Sequence, residues 1–133
     1  MNNPPIAPPR ANLLILQKYI VIYKQWHEFI PHLPKSVRYT LGQKIDHLFI
    51  ETVSNIYEAS NSPLERKNDF LKSASSKLNL LKFFLQLCWE IKAININKYL
   101  HFSKNLEEIG KMLGGWQKQV INKTPVSIPE KAN

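Results

Sequence analysis

The sequence predicts an all-α protein, an up-down-up-down four-helix bundle, on three observations. Apolar residues recur at steps of three and four through most of the 133 residues, the spacing that puts one stripe on each helix. Glycine and proline, which break helices, gather in a few places. The gaps between periodic stretches are short, so consecutive helices must run antiparallel. The gaps fall at Pro31 and Pro34, at Asn61-Ser62-Pro63 and at Asn95-Ile96-Asn97, which predicts helices near residues 12–30, 36–60, 63–94 and 97–115.

In the first helix Leu13, Leu16, Ile20 and Tyr23 form one stripe, and Ile15, Tyr19, Ile22, Trp26 and Phe29 form its neighbour. In the second, Leu41, Ile45, Leu48, Thr52 and Ile56 recur at the helical interval. The third has a start signal: Ser62 as N-cap, Pro63 at the first position and Glu65 where an acid favours the dipole. The fourth carries Tyr99, Phe102, Leu106, Ile109 and Leu113. Three of the four glycines follow, in Gly110-Lys111-Met112-Leu113-Gly114-Gly115-Trp116. Because glycine is costly inside a helix, that cluster predicts a helix end with Trp116 tucked behind it.

The third helix carries more apolar surface than one core needs. Leu71, Ala74, Leu78, Leu81, Leu85 and Cys88 alternate steps of three and four, a heptad seam for the bundle interior. Leu80, Phe83, Leu87 and Ile91 form a second stripe, largely opposite the first. Either neighbouring helices wrap that face or it packs against another subunit. The latter is the expectation, since a four-helix bundle leaves every helix an outer face.

A chain of 15.5 kDa fits one domain with one core. Prolines crowd the first nine residues and recur at Pro125 and Pro129, which assigns residues 1–11 to a Pro-rich N-terminal tail, 12–118 to the bundle and 119–133 to a C-terminal tail. No signal-like or membrane-spanning stretch is present, and the lone Cys88 sits among Leu85, Leu87 and Trp89 as a small hydrophobe. The expectation is a cytoplasmic protein without membrane contact.

Candidate chemistry is sparse. No two of His27, His32, His47 and His101 stand four residues apart, and no metal-ligand pattern accompanies them. Asp46 and His47, being adjacent in a helix, point to different faces and make a poor dyad. The arginine-then-histidine signature of HEPN ribonucleases is missing, as are phosphate-cradling glycine loops and nucleophile elbows. The reading is a protein with no catalytic residues, metal or cofactor.

Charge is the remaining signal. A formal net charge of +8 with pI near 9.6 calls for an acidic partner, nucleic acid first. The candidate contacts are Lys35, Arg38 and Lys44, then Arg66, Lys67, Lys72, Lys77 and Lys82, then Lys104 and Lys111, with Lys118 one heptad further on. Fifteen lysines against three arginines suit attraction to phosphate better than reading of base edges, so binding to RNA and DNA should be weakly sequence-selective.

Three segments then stand out in order: Asn12-Leu13-Leu14-Ile15-Leu16-Gln17-Lys18-Tyr19, Leu33-Pro34-Lys35-Ser36-Val37-Arg38-Tyr39-Thr40-Leu41-Gly42, and Glu108-Ile109-Gly110-Lys111-Met112-Leu113-Gly114-Gly115-Trp116. Together they resemble the anchor segments of the Avd family, accessory variability determinants of diversity-generating retroelements. The resemblance implies a four-helix bundle assembled into a barrel-like homo-oligomer, a pentamer, with a positive surface. It also implies a non-catalytic accessory role: association with the retroelement reverse transcriptase, and binding of template RNA and DNA during mutagenic cDNA synthesis and retrohoming. Mapped onto this chain, Lys35 and Arg38 fall in the matching loop, while Pro34, Gly42, Gly110, Gly114, Gly115 and Trp116 are structural. Leu33 and Lys111 depart from the more frequent phenylalanine and arginine, and Lys82 and Gln86 stand where arginines are common. The alternatives are a bundle of the kind encoded in intervening sequences of ribosomal RNA, or a structural oligomer with no nucleic-acid role.

Overall fold

The computed structural model describes residues 10–125, with side chains from Leu14 onward. The elements are α1 (Arg10–Phe29), a 3-10 turn (Ile30–His32), α2 (Lys35–Arg38), α3 (Leu41–Asn61), α4 (Leu64–Glu90) and α5 (Ile96–Lys123), with no strand among the described residues. Residues 1–9 and 126–133, most of the two expected tails, lie outside the described residues; Arg10 and Ala11 open α1.

Each long helix packs on two others, so that α1, α3, α4 and α5 close a ring. Cross-helix pairs give the directions. Tyr19 meets Phe49 and Tyr23 meets Asp46; Lys67 meets Ala59 and Lys77 meets Glu51; Ser75 meets Gln117 and Lys82 meets Glu107; Lys18 meets Glu108 and Gln25 meets His101. In every pair one number rises as the other falls, so all four contacts are antiparallel and the topology is up-down-up-down.

The predicted stripes fill the interior: Ile45, Leu48, Thr52 and Ile56 of α3, the whole α4 seam from Leu71 to Cys88, and Phe102, Leu106, Ile109 and Leu113 of α5 are buried. On α1 the structure selects the second stripe, burying Ile15, Tyr19, Ile22 and Trp26 while Ile20 faces solvent.

Four local expectations are corrected. The helix expected at residues 36–60 is two helices, because the chain turns at Tyr39 and Thr40. Gly42 makes that turn fit: a Cβ there would stand 3.0 Å from Leu33 Cδ1 and 3.4 Å from the Val37 carbonyl. Ser62 does not cap α4. Its hydroxyl donates to the Glu58 carbonyl at 2.6 Å and closes α3, leaving Pro63 at the N-cap without a side-chain bond.

The third correction is that α4 stops at Glu90, short of residue 94, in a Schellman turn. The Ala93 N–H donates to the Cys88 carbonyl at 2.8 Å and the Lys92 N–H to the Trp89 carbonyl at 2.9 Å. Lys92, at φ 64°, occupies the left-handed position usually given to glycine.

The fourth concerns the glycine cluster, which does not end its helix. No glycine has positive φ, α5 runs on to Lys123, past residue 118, and Val120 is buried beyond Trp116. Gly110 sits 3.4 Å from Leu78 Cδ2, an ordinary contact for a Cβ, whereas Gly114 and Gly115 have no atom within 4 Å. Only Gly42 is a close-packing glycine.

Gly114→Ala should therefore stabilise the chain by about 0.5–1 kcal/mol, as expected for removing a mid-helix glycine with open space around it. Gly42→Ala should lower stability, because Leu33 must move. Urea unfolding of the two variants beside the wild type measures both signs.

Candidate nucleic-acid interface and subunit face

The ten candidate cations divide by what already holds them. Arg38 Nη2 donates to the carbonyls of Pro31 at 2.8 Å and Leu33 at 2.9 Å, tying the end of α2 back to the turn before it. Lys67 Nζ donates to the Ala59 carbonyl at 2.7 Å and caps α3 from the start of α4; partial burial lowers its pKa. These two are structural cations. Lys77 lies 4.0 Å from Glu51, and Arg66 stands 5.8 Å from the centre of the Phe70 ring.

Lys82 donates to Glu107 Oε1 at 2.8 Å, and that bond and charge, with Lys111 as a lesser influence, hold the Glu107 carboxyl below its ordinary pKa. Lys35, Lys44, Lys72 and Lys104 are exposed and, among the described residues, their side chains take part in no hydrogen bond or ion pair.

The structure gathers part of this charge on one face. Along α4, Ser75, Lys82 and Trp89 recur every seven residues, and each meets α5. Ser75 Oγ donates to Gln117 Oε1 at 3.1 Å, Lys82 reaches Glu107, and the Trp89 ring stacks on Tyr99. The surface groove where α4 meets α5 is thus bridged by a hydroxyl–amide, a lysine–carboxylate and an aromatic pair, with Lys111 one turn beyond Glu107. Lys35 and Lys44, on α2 and α3, make no side-chain contact with this strip among the described residues. Trp89 and Gln117 were not singled out from the sequence. The signal was present, since Trp89 falls one heptad after Lys82, but its neighbour Cys88 belongs to the core seam and drew the whole stretch into the interior.

The second apolar stripe of α4 is open. Leu80, Phe83 and Ile91 are 41%, 54% and 50% exposed, and Leu87 is half-buried. Phe83 touches Phe84 edge to face at 5.7 Å. Among the described residues no helix wraps this face.

The groups that could do chemistry are otherwise engaged. Asp46 Oδ1 accepts from the Tyr23 hydroxyl at 2.8 Å and from Trp26 Nε1 at 3.2 Å, and burial with the Asp46 bond pushes the Tyr23 phenol up to about 12. Burial raises the Cys88 thiol to about 11, far from a reactive thiolate. His47 pairs with Glu51 at 3.0 Å, and His101 hydrogen-bonds Gln25. A recess of about 440 Å³ lined by Gln25, Glu28, Phe29, His32, Lys98 and His101 brings two histidines near each other with no hydroxyl or thiol in its wall. No cluster of three or more His, Cys, Asp or Glu suited to a metal occurs among the described residues, and no described helix is long and apolar enough to cross a membrane.

Arg38→Ala should destabilise the chain by about 1–3 kcal/mol, because two carbonyls lose a charged donor. Lys104→Ala, with no partner to lose, should stay within about 0.5 kcal/mol of wild type. Thermal unfolding followed by circular dichroism distinguishes the structural cation from the free one.

Comparison with known proteins gives two findings. A family model described as bAvd-like matches residues 13–120. A crystal structure of a protein of unknown function from the S23 ribosomal protein family of Bacteroides thetaiotaomicron superimposes with a TM-score of 0.75 at 17% identity, covering 81% of this chain and 98% of that chain. At that identity the likeness is one of fold. No curated protein matches the chain.

Proposed function

The chain belongs to the bAvd-like family, and from that premise we propose that it is a non-catalytic accessory protein of a diversity-generating retroelement, one that binds the reverse transcriptase and nucleic acid while mutagenic cDNA is made. The observation that carries the proposal is the family match over residues 13–120, joined to a net charge of +8. The exposed Lys72, Lys104 and Lys111 supply phosphate contacts, and Lys35 and Lys44 form a second basic site for the polymerase. Arg38 and Lys67 support the fold instead. The exposed stripe of Leu80, Phe83, Leu87 and Ile91 is the subunit contact of a homo-oligomer, a pentamer by family resemblance. Repeating the lysines around such a ring multiplies their field.

Two measurements test this reading. Affinity for a labelled RNA or DNA should fall steeply between about 50 and 200 mM salt, and Lys104→Gln with Lys111→Gln should reduce the slope of log K against log salt by about one for each lysine that touches a phosphate. A flat salt profile would remove the electrostatic mechanism. The protein should also co-purify with the reverse transcriptase of a retroelement that encodes both, and Lys35→Glu with Lys44→Glu should weaken that complex without changing thermal unfolding. If the two proteins do not associate, the adaptor role fails.

Light scattering tests the subunit face. The wild type should show a mass several-fold above 15.5 kDa, and Phe83→Asp should reduce it to that of one chain, since an unpaired charge in a dry interface costs several kcal/mol, roughly. A monomeric wild type at tens of micromolar, roughly where micromolar contacts saturate, overturns the contact.

A further inference from the structure

The α4–α5 groove ends, at the turn joining the two helices, in a pair of stacked rings. Trp89 and Tyr99 have ring centroids 5.3 Å apart and planes 13° from parallel. Tyr99 is half-buried against the core. Trp89 keeps 36% of its surface open, whereas Trp26 and Trp116 are 0% and 4% exposed. The indole N–H has no acceptor among the described residues. Core packing accounts for Tyr99, whereas Trp89 remains partly open to solvent at the outer side of the stack.

What surrounds the indole narrows the chemistry. From Leu71 to Trp89, α4 carries no carboxylate. Lys82 stands on the same face as Trp89, seven residues earlier and so about 10 Å away along the axis. Lys92 is exposed at the turn itself, its backbone N–H bonded to the Trp89 carbonyl. Glu107 and Lys82 neutralise each other, so the exposed Lys92 and Lys111 are the cations of this strip without a paired carboxylate, and Glu90 is the acid next to the ring in sequence. Further along the groove come the Ser75 hydroxyl and the Gln117 amide. An aromatic face at one end of a cationic, polar track is the arrangement that accommodates a single strand, because every base has a π-face and every linkage a phosphate. A duplex keeps its bases stacked inside and offers the indole nothing equivalent.

We infer that Trp89, backed by Tyr99, is a stacking platform for an unpaired base of single-stranded nucleic acid whose backbone follows the α4–α5 groove past Lys82 and Lys111. The inference rests on the nucleic-acid-binding reading above and adds to it a strand preference and a position. It separates Trp89 from the apolar stripe at Phe83, which faces away from the groove.

The intrinsic fluorescence of the full-length protein reads the platform directly, since Trp89 is the exposed member of the three tryptophans. An unlabelled oligo(dT) single strand should quench that emission at low salt, and a duplex of equal length should quench it far less. In parallel, anisotropy with a labelled strand should show Trp89→Leu weakening single-strand binding by at least about fivefold, the lower end of the stacking contribution of one base, with duplex binding within twofold of wild type. Trp89→Phe should recover part of the loss, which also covers the case in which the leucine variant folds poorly.

Binding by anisotropy with no quenching and no effect of either substitution overturns the platform while leaving nucleic-acid binding intact. Absence of any binding to either form defeats the broader reading and the platform with it. A wild-type indole shielded from acrylamide without nucleic acid, in step with the oligomer's mass, assigns Trp89 to a subunit contact and likewise overturns the inference.

Discussion

The fold is organised around the indole of Trp26, where three helices meet. Its ring stacks on Phe49 of α3 at 5.7 Å and meets Phe102 of α5 edge-on at 5.9 Å, while its N–H donates to Asp46. Tyr19 and Tyr23 surround the same phenylalanine at 5.9 and 5.7 Å, and the Tyr19 hydroxyl donates to the Phe49 carbonyl at 2.7 Å. Aliphatic stripes can slide past one another by a turn at little cost. A buried ring with a directional hydrogen bond cannot, because a shifted register would strand both the indole N–H and the carboxylate. This cluster therefore fixes the register of α1 against α3 and α5, and every groove on the surface inherits its alignment from it.

Functional capacity in this chain is set less by the number of cations than by their freedom. A lysine bonded to a backbone carbonyl, as Lys67 is, must break that bond before it can meet a phosphate, and Arg38 must release two. The exposed lysines of α4 and α5 have no such cost and sit on elements whose backbone is fixed by the core. A net charge of +8 thus overstates the number of unbonded cations on the surface, and the sequence alone does not separate bonded from free ones, because the carbonyls they satisfy are created by helix ends that only the folded chain reveals.

The helices themselves were legible. Their apolar period is set by burial, and burial here is decided by one bundle interior that the residue pattern describes directly. Local punctuation was harder to read. Ser62 has a hydroxyl that can serve the helix before it or the one after it, and the preceding helix takes it. The Gly114-Gly115 pair looks like a terminator by propensity, yet its cost of about 1 kcal/mol per glycine is small beside the burial of Trp116 and Val120 that continuing the helix secures. The mirror case is Lys92, which accepts a left-handed conformation because the Schellman bonds and the turn into α5 require one there. Tertiary demand overrides local preference in both.

The groove between α4 and α5 and the apolar stripe of α4 occupy different sides of one helix. That separation follows from the heptad arithmetic of the sequence. Positions 75, 82 and 89 step around with the seam and stay turned toward α5, while Leu80, Phe83, Leu87 and Ile91 remain on the outer side. A single helix can then present apolar surface to another copy of the chain and polar, cationic surface to a partner without either use covering the other. Had the second stripe fallen one residue closer to the groove, burying it in an assembly would have sealed Lys82 and Trp89 as well. The nearly all-round apolar character of α4, which by itself signals only a deeply buried helix, becomes compatible with a polar groove because Ser75, Lys82 and Trp89 keep the strip that faces α5 clear of the apolar stripe.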